Sequence, residues 1–249
     1  MSEKSKIEWT EATWNPVTGC TPVSPGCRNC YARRWALRLQ KMGGPKYRDG
    51  FEVRVHPEVL NEPFRWRKSR VVFVCSMGDL YHEKVPDSFI RNVYDVMRAG
   101  PPHVYLVLTK RPERVLRSVY GPLPWNMVLG VTVEDRKHKK RIEWLQYFPG
   151  MRFVSLEPLL EPVGDLPLHH IDWVIVGGET GPGARPMPFD EPARIRDACL
   201  EAGVPFFFKR WGDFYRDRGR ELEGRTWEQL PDWRRWRHDN DDARGVAGG

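Results

Sequence analysis

Three of the chain's five cysteines fall within eleven residues. Cys20, Cys27 and Cys30 are spaced C-x6-C-x2-C inside "NPVTGCTPVSPGCRNCYARR", residues 15–34. Thiolates at such spacing bind soft metals, and the question is which. A structural zinc site closes with four ligands, usually as two short-spaced pairs. Here a fourth is missing: the nearest following histidine is His56, and Cys75 and Cys199 lie far along the chain. A cuboidal iron–sulfur cluster is also held by thiolates. Three of them would hold three irons and leave the fourth open to an outside ligand. An odd cysteine count disfavours a disulfide framework. The N-terminus "MSEKSKIEWTEATW" has no apolar leader segment. No apolar run approaches the roughly 20 residues of a membrane span. The expectation is a cytoplasmic chain with reduced thiols and no membrane partner.

The rest of the chain must position that loop. Short apolar runs with strand character begin at "VVFVCSMGD" (71–79), "HVYLVLTKR" (103–111), "MVLGVTVED" (127–135), "MRFVSLEP" (151–158), "DWVIVGGETG" (172–181) and "VPFFFKRWG" (204–212). Helical segments follow most of them. In "DSFIRNVYDVMRAG" (87–100), Phe89, Ile90, Val93, Val96 and Met97 recur at helical spacing before a glycine stop. "DEPARIRDACLEAG" (190–203) has an acidic start and a glycine end. A further helix is expected from about Tyr31 to Met42. Strands alternating with helices predict an α/β fold with a parallel sheet. The choice is between a partial (β/α) barrel of about six or seven parallel strands and a doubly wound sheet. Polar clusters end nearly every strand, at Ser76–Asp79, Thr109–Lys110, Thr132–Glu134, Glu157 and Glu179. That distribution favours the barrel, whose active site is built from strand-end loops, over a single switch point. Residues 1–212 are read as one such domain and 213–249 as a charged, Arg/Trp-rich extension whose last dozen residues are poorly ordered.

The cysteine loop resembles the cluster-binding loop of the radical S-adenosylmethionine superfamily, closest to the branch of spore photoproduct lyase. "NPVTGC" matches the front of that loop and "CRNCYAR" the back. The segments "FVCSMGDLYHE", "LTKRPER", "SLEPLLEP", "GGETGPGARP" and "PFFFKRWG" also resemble a phage and bacterial family known only as a domain of unknown function. Two positions depart from the superfamily pattern. The usual spacing is C-x3-C-x2-C, whereas "TPVSPG" fills a six-residue gap here, and Asn29 stands where an aromatic residue usually touches adenine. A loop longer by three residues costs only about a few tenths of a kcal/mol in closure entropy.

The resemblance implies a radical S-adenosylmethionine enzyme with that fold, a [4Fe-4S] cluster on Cys20, Cys27 and Cys30, and S-adenosylmethionine on the open iron. It implies an external electron donor of flavodoxin or ferredoxin type. Ser76 and Asp79 are then expected at the methionine amino group and Lys110 at its carboxylate. Tyr31, directly after the last cysteine, is expected near the cofactor, and Thr132 and Glu134 at the ribose. Cys75 is expected either to donate a hydrogen atom to a product radical or to be an inert buried thiol. Glu157 and Glu179 are expected to line the cavity, in a substrate or cofactor role.

The net charge is +7 and 11 tryptophans are present. Several adjoin arginines, in "PFRWRKSR", "FFFKRWGDFYRDRGR" and "PDWRRWRHD". Such mixtures suit stacking on nucleic-acid bases, or they are arginine stems packed on indoles within the protein. Three functions follow. One is radical chemistry on a nucleic acid or nucleotide, in repair or modification. The second is the same chemistry on a small molecule or protein. The third is a zinc-stabilised nucleic-acid-binding protein without catalysis.

Overall fold

The computed structural model describes residues 5, 7–118 and 123–233. Its centre is one sheet of seven parallel strands: β1 (Ala12–Trp14), β2 (Val71–Val74), β3 (Val104–Thr109), β4 (Met127–Thr132), β5 (Arg152–Leu156), β6 (Trp173–Gly177) and β7 (Phe206–Arg210). Spatial order follows chain order from β1 to β7. No order reversal creates a switch point, so the architecture is an α/β half-barrel rather than a doubly wound sheet. Strand β1 carries too few residues for a periodicity signal, and sequence reading passes over it. It pairs with β2 through Ala12–Val72 and Trp14–Val74, directly upstream of the cysteine loop.

The helices are α1 (Tyr31–Lys41), α2 (Asp87–Ala99), α3 (Pro112–Ser118), α4 (Arg141–Leu145) and α5 (Glu191–Glu201). Helix α2 buries Phe89, Ile90, Val93, Val96 and Met97, the face anticipated from their spacing, together with Tyr94, and stops at Gly100. Among the described residues no helix is long and apolar enough to cross a membrane.

The period-two alternation of the strands divides the core in two. Val72, Val74, Tyr105, Val107, Leu129, Val131, Val154 and Val176 face the helices. Phe73, Leu106, Val128, Phe153, Ile175 and Phe207 fill the concave side, where Trp9 caps them. The Trp9 ring lies edge-on to Phe73 at 4.9 Å and to Trp173 at 5.8 Å between centroids. The inward parity continues past the strand ends. It aims Cys75, Lys110, Thr132, Glu157, Glu179 and Lys209 toward the same mouth. Glu8, just ahead of β1, pairs with Arg210 at the end of β7, so the barrel's two free edges are joined across their gap.

Of the tryptophans in the three arginine-rich segments, Trp211 is buried, Trp66 and Trp233 are half-buried, and Trp236 lies outside the described residues. Trp66 lies beside His103 with Arg70 over its ring at 5.6 Å. Trp211 is buried and stacks on Phe189. Trp227 carries Arg225 over its ring at 4.0 Å. Residues 213–233, set apart on sequence as an extension, pack onto the barrel. Phe208 N–H donates to Trp227 O at 2.8 Å and Gln229 N–H to Phe206 O at 3.1 Å, covering the outer edge of β7. The last dozen residues of the chain lie outside the described ones.

Gly130 on β4 faces inward, and a Cβ there would stand 2.3 Å from the Phe153 ring. The small residue makes room for the large one on the neighbouring strand. Gly130→Ala is therefore expected to destabilise the fold by about 1–3 kcal/mol through overpacking. The companion change Phe153→Leu should recover part of the loss, and urea unfolding of the single and double variants measures both.

Candidate functional site

A cavity of about 500 Å³ opens at the C-terminal ends of the strands. Cys20, Cys27, Cys30, Tyr31, Cys75, Ser76, Asp79, Lys110, Thr132, Glu157 and Glu179 all line it. Of the residues singled out on sequence, Glu134 alone is missing from the wall: it is fully buried behind it.

The cysteine loop is fixed to the barrel one strand end at a time. Asn15 Oδ1 accepts from Ser76 Oγ at 3.1 Å and from Met77 N–H at 3.0 Å, tying the loop's entry to the turn after β2. Gly19 then adopts φ +82°, and a Cβ there would lie 2.1 Å from Glu52 O, so no side chain fits. Within the long gap, Thr21 receives Arg111 from the end of β3 on both its carbonyl and its hydroxyl, each at 3.0 Å. Ser24 Oγ donates to Glu134 Oε1 at 2.5 Å. Gly26 lies so close to that carboxylate that a Cβ would come within 2.6 Å of Glu134 Cγ. Asn29 Nδ2 donates to Glu179 Oε2 at 2.9 Å and to Gly183 O at 2.8 Å. Arg185 closes the set, reaching Pro25 O at 3.0 Å while also pairing with Glu179. Both departures from the superfamily loop, the gap "TPVSPG" and Asn29, are thus anchoring points.

Several strand-end residues hold one another as well as the wall. Asp79 accepts from Thr109 Oγ1 at 2.9 Å, Tyr81 N–H at 3.0 Å and Arg111 Nη1 at 3.3 Å. Lys110 forms an ion pair with Glu134, which also takes Arg141 Nη1 at 2.8 Å. Glu157 accepts from Ser155 Oγ at 3.1 Å and Lys209 Nζ at 2.7 Å. The Tyr31 hydroxyl donates to Ser76 O at 2.5 Å, while the outer ring is open to solvent. Thr132 is buried in the wall. Arg111, Arg141, Arg185 and Lys209, the cationic half of these networks, carry no spacing signal. The one legible hint is that Arg111 follows Lys110 at a strand end, in "LTKR".

The electrostatics follow from these contacts. Burial opposes ionisation of Glu134, but Lys110 and Arg141 outweigh it and hold its carboxyl below the usual range. Burial likewise works against Glu179, and its bonds from Arg185 and Asn29 bring it down. Burial would raise Cys27, yet the Lys110 charge and hydrogen bonds from Val23, Ser24 and their backbone lower it overall. Cys20 is pushed up to about 11 by burial and by Asp79, against the pull of Arg111. Arg111 Nη1 donates to Cys20 Sγ at 3.3 Å, a contact that favours a thiolate. Coordination to a metal removes a thiol's proton outright. Cys75 is buried with φ +60°, a strained conformation for a side-chain-bearing residue. Burial and a neighbouring Asp79 keep its thiol protonated.

Among the described residues no three His, Cys, Asp or Glu side chains converge on one point as a single metal ion requires. A cuboidal cluster gives each thiolate its own iron, so its ligands surround a small body rather than meet at one ion. Three thiols on one anchored loop, facing a cavity and balanced by Arg111 and Lys110, fit that group.

Fold and site together define a parallel α/β half-barrel with a thiol-bearing loop pinned across its strand ends. The chain belongs to a family described as "Protein of unknown function (DUF5131)", which matches residues 4–231. No curated protein matches the chain. No solved structure matches it either.

Glu134 is the site's most deeply buried charge. Replacing it by Gln leaves Arg141 and Lys110 without a counter-charge. The loss expected is about 3 kcal/mol, read by urea unfolding at pH 7. Because the folded pKa is lowered, its contribution is complete above about pH 4.5 and fades as pH falls through the lower folded value. The stability difference between wild type and Glu134→Gln should therefore shrink as pH is taken below that point.

Proposed function

We propose that this protein is a radical S-adenosylmethionine enzyme. The observation that carries the reading is a three-thiol loop, with no fourth cysteine in it, opening onto a cavity at the strand ends of a parallel half-barrel. A bound [4Fe-4S] cluster would supply the electron for reductive cleavage of S-adenosylmethionine at its C5′–S bond, the chemistry that initiates hydrogen abstraction from a substrate. Cys20, Cys27 and Cys30 hold that group, and an external donor of flavodoxin or ferredoxin type delivers the electron.

The chain's own residues bind, orient and exclude water. Arg111 faces Cys20 and offsets thiolate charge, as hydrogen bonds around sulfur ligands do. Lys110, paired with Glu134, places a positive charge beside Cys27 and would meet the cofactor's carboxylate. Thr132, Ser76 and Tyr31 provide polar edges for the nucleoside, and Asp79 fixes the Thr109–Arg111 turn beneath it. Cys75 keeps its proton at neutral pH, the state from which a thiol donates a hydrogen atom. Glu157, paired with Lys209, and Glu179, paired with Arg185, hold the β5–β7 side of the chamber. Burial in a walled cavity limits side reactions of radicals with solvent.

Anaerobically reconstituted protein given dithionite and S-adenosylmethionine is expected to release 5′-deoxyadenosine. The variant Cys20→Ala/Cys27→Ala/Cys30→Ala is expected to lose iron and product together. A fully iron-loaded wild type that forms none would overturn the reading.

A further inference from the structure

The cavity wall carries positive charge whose partners are unevenly distributed. Lys110 faces Glu134, Arg111 faces Asp79, Lys209 faces Glu157 and Arg210 faces Glu8. Arg34, on α1, lines the same cavity, and among the described residues no carboxylate lies within ion-pair distance of it. Its Nη2 donates to Thr180 O at 2.9 Å, while Nη1 has no partner and packs on Gly181, where a Cβ would lie 1.7 Å away. Two further wall donors are unpartnered: Arg210 Nε and the indole N–H of Trp9, a residue only 5% exposed. All three unpartnered buried atoms of the wall are thus donors, and none is an acceptor. Of the five cations that line the cavity, Arg34 is thus the one with no carboxylate partner among the described residues.

The wall itself is balanced, five cations against five carboxylates with Asp213 bonded to Gly181 N–H at 2.6 Å, but the approach to the cavity is basic. Residues 28–54 contain eight Lys or Arg against two Asp or Glu, six of the chain's seven excess positive charges. Trp35, next to Arg34, is 50% exposed and Tyr31 is 43% exposed, and both border the cavity. Arg38 lies over one face of Trp35 at 5.1 Å, so the rim offers the Tyr31 ring and the remaining Trp35 face beside Arg34.

We infer that Arg34 and the α1 side of the cavity, with Trp35 at its rim, form a subsite for a substrate carrying an oxyanion, carboxylate or phosphate, on a planar or apolar body. Guanidinium is suited to both anions. The inference rests on the cavity being the reaction chamber proposed above, and it adds the substrate's chemistry.

The test titrates full-length, iron-loaded protein with inorganic pyrophosphate, thymidine 5′-monophosphate, glutarate and uncharged thymidine, followed by intrinsic tryptophan fluorescence. At least one oxyanion should saturate, and thymidine should bind at least about tenfold more weakly than its monophosphate if the source is phosphate. Preference for glutarate assigns the site to carboxylates. Arg34→Met should weaken the preferred probe about tenfold or more with iron content unchanged, and Arg34→Lys should restore part of the affinity. Equal affinities for wild type and Arg34→Met, no saturating oxyanion, or a loss confined to S-adenosylmethionine binding would each overturn the inference. Oxyanion binding by a protein that releases no 5′-deoxyadenosine would instead sink the enzyme reading and leave the subsite standing.

Discussion

A carboxylate with no access to water must find its partners inside the protein, and Glu134 sets that condition for the whole site. It lies two residues past Thr132, the inward-facing last residue of β4, and is fully buried. Its partners come from three places: Lys110 after β3, Arg141 at the start of α4 and Ser24 within the cysteine loop. Satisfying one charge therefore draws two strand ends, a helix and the loop to a common point. Glu179 repeats the device on the other flank with Asn29 and Arg185. Between them, the two carboxylates clamp the loop over the barrel mouth.

This arrangement gives the long gap in the cysteine spacing a physical role. A loop of many short contacts is ordered only if its backbone is held. Here Thr21 meets Arg111 after β3, Ser24 and Gly26 meet Glu134 after β4, and Pro25 meets Arg185 beyond β6. Rigid placement matters for any chemistry that depends on reacting atoms being held close.

The parts of the molecule legible in sequence are those governed by periodicity. Helix α2 and six of the seven strands follow from apolar spacing, and strand-end parity places Cys75, Lys110, Glu157 and Glu179 at one mouth. Strand β1 is not legible, because three residues cannot display a period and its pairing with Val72–Val74 is a tertiary fact. Neither are the cationic partners: which arginine meets which carboxylate depends on how far apart the sheet brings residues such as Asn29 and Glu179. The tryptophan–arginine segments illustrate the converse. Their composition suits stacking on bases, but packing buries Trp211 and half-buries Trp66, while Phe214 in the same stretch as Trp211 and Trp35 on α1 stay exposed.

The central claim is that the three loop thiols hold an iron–sulfur cluster with one position open toward the cavity. Mössbauer spectroscopy of anaerobic, isotopically enriched protein, before and after adding S-adenosylmethionine, tests it most directly. The account predicts about four irons per chain, with a single iron site changing its parameters when S-adenosylmethionine is added. A chain that binds no iron, or a four-iron spectrum unchanged by S-adenosylmethionine, would contradict it.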